Sequence, residues 1–92
     1  MSKKQLTNKR GKWQVIVYAS DKYTVEYLSE VISTICGHGY MQSLQCAMII
    51  EQVGSYAVFE DTYDECEQVL EEFEYNDLTA KIRKKHVTKN KK

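Results

Sequence analysis

The chain has 92 residues, 42% of them hydrophobic, and thirteen Lys+Arg balance thirteen Asp+Glu. That is enough for one domain with one small core, too short for barrels, large nucleotide-binding folds or multidomain enzymes, and too apolar for a disordered chain. No apolar run is long enough to cross a bilayer; none exceeds the length of Val15 to Ala19.

Residues 1–12 carry five basic side chains (Lys3, Lys4, Lys9, Arg10, Lys12) and no acid. They also lack an apolar segment of the secretory kind. We expect a flexible basic tail here. Trp13 to Ala19 follows, β-branched and aromatic, and reads as a strand buried in part on both faces. Ser20 to Tyr23 is a polar turn. Thr24 is a suitable N-cap, and Glu26 suits the positive end of a helix dipole. Val25, Leu28, Val31, Ile32, Ile35 and Cys36 recur at three and four residues and define one apolar helical face. Gly37-His38-Gly39 ends that helix, and His38 reads as a C-terminal residue favoured by the dipole.

The segment from Tyr40 to Gln52 supports two readings. Met41, Leu44, Ala47 and Met48 fit a helix, whereas Leu44, Cys46, Met48 and Ile50 alternate as in a strand. After a turn at Val53-Gly54-Ser55, Tyr56 to Phe59 reads as a strand. Thr62 to Glu65 has the form of a capping box, in which the hydroxyl takes the N3 amide and Glu65 reaches back. Cys66, Val69, Leu70 and Phe73 give the helix after it a buried face. Leu78, Ala80 and Ile82 alternate as a last strand. From residue 81 onward seven bases and no acid follow, and a second flexible basic tail is expected over 84–92.

The order is β-α-α-β-α-β, or a ferredoxin-like β-α-β-β-α-β if 40–52 is extended. Either is a small α+β fold with helices on one face of an antiparallel sheet, three-stranded in the first case. Charge is partitioned: residues 13–80 hold all thirteen acids and one base, Lys22, so the body carries about −12 between basic ends. Nine acids and no base lie between Glu60 and Asp77. Basic tails draw nucleic acid by counterion release, and an acidic helix can mimic a phosphate backbone, so a nucleic-acid module is one reading. Against it, no aromatic–basic strand motif of the RNA-recognition kind is present.

Cys36, Cys46 and Cys66 are odd in number, lack CxxC spacing, and read as small buried hydrophobes of a reduced, cytoplasmic protein. No Ser/His/Asp or Cys/His pairing has a catalytic spacing. We expect no enzyme activity, metal or other cofactor, and a monomer.

The stretch Ala19-Ser20-Asp21-Lys22-Tyr23-Thr24-Val25-Glu26-Tyr27 resembles a motif of the ClpS family, the adaptors of AAA+ Clp proteases. There a strand is followed by Asn-Asp-Asp, a variable pair, Thr, one residue, Glu and an aromatic. Glu26 to His38 resembles the family's first helix, which often ends in Gly-His. Ser43, Gln45, Ile50 and Gly54 fall on its second helix and the turn beyond, and Tyr56 to Leu70 on the next strand and third helix. Leu78 falls near the opening of the final strand. The likeness covers 13–83, which we take as the adaptor domain, and it favours a helix over 40–52.

The resemblance implies a non-enzymatic adaptor. It would hold the free N-terminal residue of a protein (an N-degron) in a pocket, dock on the N-terminal domain of a Clp unfoldase, and deliver the substrate. A protonated α-amino group needs carboxylates and carbonyl oxygens, and a bulky first side chain needs an apolar hole. Residue by residue, the family's Asn and first Asp fall on Ala19 and Ser20. The second Asp is kept as Asp21, and a His that meets the amino group falls on Glu51, which is anionic and can still pair with ammonium. The apolar pocket falls on Thr24, Val25, Leu28, Ala47, Ile50 and Leu78, with Ala47 small enough to widen it. Unfoldase docking falls on Asp64 and on Glu67 of the pair Cys66-Glu67. The Lys after that pair falls on Val69. These departures leave a second reading, a ClpS-like decoy or modulator that occupies an unfoldase or another partner without holding degrons.

Overall fold

The computed structural model describes residues 11–85. Six elements follow one another: β1 (Trp13–Tyr18), α1 (Val25–Cys36), α2 (Tyr40–Val53), β2 (Ser55–Asp61), α3 (Tyr63–Tyr75) and β3 (Ala80–Lys84). The strands form one open antiparallel sheet in the order β2-β1-β3, so β1 is central. The architecture is α+β in the order β-α-α-β-α-β. The ferredoxin-like alternative falls because residues 40–53 are helical, and with it falls the four-stranded sheet that an RNA-binding reading required.

The burial of α2 explains its two-sided sequence. Ser43, Cys46, Ala47 and Ile50 face inward at helical spacing, while Met41 and Met48 are exposed. A serine inside and methionines outside blur the apolar stripe that normally identifies a helix. The other helices announce themselves through their caps. Thr24 Oγ1 accepts from the Tyr27 N–H at 3.0 Å, and Thr62 Oγ1 accepts from the Glu65 N–H at 3.3 Å. The expected return half of the capping box belongs to a different residue: the Thr62 N–H donates to Asp61 Oδ1 at 2.7 Å.

The core joins Val15, Val17, Val58 and Ala80 of the sheet to Leu28, Ile32, Cys46, Ala47, Ile50, Cys66, Val69 and Phe73 of the helices. The helices therefore cover the Val15/Val17 face. Ile16 is also buried but lies outside that cluster. Strand alternation turns it to the other face, between its cross-strand partners Ala57 and Lys81. The β1–β2 register shifts between Val15 and Ile16, and at this irregularity His38 Nε2 meets the Val58 carbonyl at 2.6 Å. So His38 fastens the α1–α2 connection to the sheet, a role that its position after a helix end did not suggest. Gly37 caps α1 with φ 76°, its N–H donating to the Ser33 carbonyl, and the Ser33 hydroxyl donates to the His38 carbonyl at 2.9 Å.

The described body is slightly longer than 13–83. Lys84 pairs with Trp13 in the sheet, and the Lys85 N–H donates to the Lys12 carbonyl at 3.0 Å. The rest of both expected tails lies outside the described residues.

Candidate functional site

At the Tyr18 end of β1 the main chain makes two long-range hydrogen bonds. The Tyr18 N–H donates to the Thr79 carbonyl at 2.9 Å, and the Ala19 N–H donates to the Gly54 carbonyl at 2.8 Å. The first draws in the α3–β3 turn. The second draws in the end of α2, where Gly54 stops the helix with φ 108°. Residues far apart in sequence thereby surround one opening. It is a cleft of about 310 Å3 lined by Tyr18, Ala19, Ser20, Asp21, Tyr23, Leu28, Ile50, Glu51 and Leu78. Its volume is at the lower end of the range for small-ligand sites.

Seven of the residues anticipated from the resemblance line this cleft: Ala19, Ser20, Asp21, Leu28, Ile50, Glu51 and Leu78. Leu28, Ile50 and Leu78 are buried and supply an apolar floor, while Asp21 and Glu51 are exposed at the rim. Among the described residues neither carboxylate has an ion pair; the two salt bridges there are Lys22–Asp77 and Lys85–Glu60. Three anticipated residues do not line the cleft. The Thr24 hydroxyl is engaged in capping α1. Val25 packs half-buried against the core. Ala47 is wholly buried within it, so its small size does not widen this opening.

Two lining residues were not anticipated, Tyr18 and Tyr23. The strand pattern accounts for Tyr18 and the polar turn for Tyr23; an aromatic ring inside a polar turn is the signal that marks the second. The Tyr23 hydroxyl lies 3.2 Å from the Asp77 carbonyl oxygen and 3.3 Å from Asp77 Oδ2. Lys22 Nζ bonds Asp77 Oδ2 at 2.5 Å. This network latches the 20–23 turn to the α3–β3 turn, where Asp77 holds a left-handed φ of 65°. It leaves its mark on three titrating groups. The hydrogen bond and charge of Asp77 raise Lys22, and those of Lys22 lower Asp77. Partial desolvation, then the Asp77 charge, raises the Tyr23 phenol. The one base within 13–80 is thus engaged with Asp77 rather than with Asp21 or Glu51. At the turn's start, Ser20 Oγ accepts from the Lys22 N–H at 3.1 Å.

The expected docking residues Asp64 and Glu67 are both exposed on α3. Val69, matched by resemblance to a family lysine, is instead buried in the core beside Phe73. The helix Tyr63–Tyr75 carries no base at all. Burial pushes all three thiols up, Cys36 to about 12, so none is prepared as a nucleophile. Among the described residues, no group of three His, Cys, Asp or Glu could hold a metal ion. No helix there is long and apolar enough to cross a membrane.

The family model for the ATP-dependent Clp protease adaptor protein ClpS matches residues 8–82. The chain belongs to the ClpS family. Its fold agrees: the structure of Agrobacterium tumefaciens ClpS2 bound to L-phenylalaninamide is similar with a TM-score of 0.71. That likeness has 15% sequence identity and covers 78% of this chain and 94% of the other. No curated protein sequence matches the chain. This is therefore a Clp protease adaptor by family, and the ClpS family is generally non-catalytic.

Proposed function

We propose that this ClpS-family adaptor acts by binding alone. In this reading it holds the free amino end of a polypeptide in the cleft beneath Asp21 and Glu51 and delivers that polypeptide to a Clp unfoldase. The observation that carries the reading is that Asp21 and Glu51 line one cleft with Leu28, Ile50 and Leu78, with no ion pair to either carboxylate among the described residues. An ammonium group supplies the missing positive charge in charge-assisted hydrogen bonds. The first side chain fills the apolar floor, and loss of water from that surface favours binding. The neighbour's ligand, L-phenylalaninamide, combines these two features. Glu51 takes the role of the family's histidine and offsets the charge missing at Ser20.

The test is a titration of fluorescently labelled peptides that begin with Phe, Tyr, Trp, Leu or a charged residue, each with a free or acetylated amino end. A labelled peptide is the right reporter, because Trp13 stands at the far end of β1, about 17 Å from the cleft end at ~3.3 Å per residue. Binding that requires the free amine supports the reading, and indifference to acetylation removes it.

One observation favours the second reading, a decoy that occupies an unfoldase without presenting substrate. The face of α3 beside Asp64 and Glu67 lacks a cation, because Val69 is part of the core. Pull-down of the N-terminal domain of a Clp unfoldase, with and without a bound peptide, separates the two. The adaptor forms a ternary complex, whereas the decoy binds the unfoldase only.

A further inference from the structure

A second and larger opening, about 470 Å3, lies between α1 and α2. Its lining is Glu26, Tyr27, Ser29, Glu30, Ser33, Tyr40 and Leu44. Four of its five α1 members, 26, 29, 30 and 33, follow the i, i+3, i+4, i+7 rule and form one stripe along the helix, with Tyr27 beside it. That stripe reads acid, hydroxyl, acid, hydroxyl. Tyr40, at the start of α2, stands 72% exposed across from it. Leu44 lies one turn further along the same face of α2.

Three observations say what the groove lacks. Ser29 is 4% exposed, and among the described residues its hydroxyl has no hydrogen bond, unlike Ser33, which donates to the His38 carbonyl. A buried hydroxyl without a partner is costly and uncommon. Glu26 and Glu30 have no ion pair among the described residues. Tyr27 and Tyr40 bring aromatic rings to the groove's wall, and the face of such a ring attracts a cation and repels an anion. An apolar helix docked here would leave two carboxylates and a hydroxyl without water or partner. Phosphate groups would be repelled by the same carboxylates. The occupant with the matching chemistry has an alkyl stem for Leu44 and the rings, and a positive head with several N–H donors for Glu26, Glu30 and Ser29. That is a lysine or arginine side chain.

We infer that the α1–α2 groove is a second binding site, which seats a basic side chain of an extended peptide segment. Its position favours a polypeptide over a free amine. Tyr27 stacks on Tyr23 with ring centroids 4.9 Å apart and planes 27° from parallel, and Tyr23 belongs to the cleft wall. The paired rings thus join the wall of the cleft to the wall of the groove. The groove's chemistry nevertheless stands without the cleft, so the two are tested apart.

The experiment records amide NMR spectra of the 15N-labelled full chain during titration with acetyl-Arg-Arg-amide, whose blocked amino end cannot use the cleft. The expected result is saturable shifts confined to residues 26–33 and 40–44, with a dissociation constant below about 10 mM. Glu26→Gln together with Glu30→Gln should weaken it at least about tenfold, since both charge-assisted contacts lose their charge. Ser29→Ala should weaken it less while leaving the fold's spectrum intact. Acetyl-Leu-Leu-amide should give no saturable shift. Absence of saturation with the arginine probe overturns the inference, as does equal binding of the leucine probe or persistence of full affinity in the Gln variant. A chain lacking residues 1–10 whose groove amides move without any probe, when the arginine probe moves none in the full chain, also overturns it, in favour of the protein's own basic segment. Failure of free-amine peptides at the cleft leaves these readouts unaffected.

Discussion

The two ends of β1 differ in what they leave unfinished. At the Trp13 end, charges and rings have partners: Lys85 bonds Glu60 at 3.1 Å, Arg83 donates to Gln14 at 3.2 Å, and Trp13 meets Tyr63 edge-on at 4.9 Å. At the Tyr18 end two long-range hydrogen bonds tie the main chain, yet Asp21 and Glu51 stand without a counter-ion among the described residues. A fold can thus close one end of its sheet for stability and hold the other in rigid, electrostatically incomplete form. Lys22 makes the contrast sharper, because the base that follows Asp21 directly is held by Asp77.

The severest disturbance should abolish the contrast altogether. Phe73 is fully buried, and its carbonyl accepts from the Leu78 N–H at 3.0 Å. Phe73→Ala should cost about 3–5 kcal/mol through lost transfer energy and the cavity left behind. Urea unfolding followed by far-UV circular dichroism measures it, and both ends should melt in one transition. Gly54→Ala strikes the open end selectively. A Cβ there meets nothing within 4 Å, but φ 108° is strained for any L side chain, so a loss of about 1–3 kcal/mol is expected. Hydrogen exchange at the Ala19 amide should quicken while the Lys85 amide is unchanged. Equal exchange at both would mean that the ends are not independent.

Glu51→Gln leaves the fold alone and should weaken free-amine peptide binding by about 1–2 kcal/mol, since a charge-assisted hydrogen bond loses its charge. Glu60→Gln is the matched change at the closed end. It should leave peptide affinity unaltered and alter stability by at most about 1 kcal/mol. The smallest effect concerns the latch. Lys22 lowers the Asp77 carboxyl below its usual 3.8, so its stabilisation is complete above that value and fades as pH falls through the lowered one. Both partners are solvent-exposed, so added salt should shrink the effect. Asp77→Asn should remove this acid dependence, read from an NMR titration of the Tyr23 ring.

Local elements were largely legible. The hydroxyl caps at Thr24 and Thr62, the spacing of Leu28 and Ile32, and the glycine stop at Gly37 are short-range signals that tertiary structure did not override. Segment 40–53 was ambiguous because its period was smeared by a buried Ser43 and an exposed Met48. The cleft was legible only through family resemblance. Asp21 and Glu51 are thirty positions apart, and no local pattern joins them; their meeting depends on hydrogen bonds to Gly54 and Thr79. Tyr23 was hidden for a related reason, since its phenol acts on a turn more than fifty residues away. His38 was hidden because its partner is a carbonyl at a strand irregularity, which no residue type marks.

The cords that gather the cleft run from peptide group to peptide group, Tyr18 to Thr79 and Ala19 to Gly54. Side chains hanging on that scaffolding can be exchanged while it keeps its shape. A fold that stays similar at 15% sequence identity is what a frame tied through peptide groups permits.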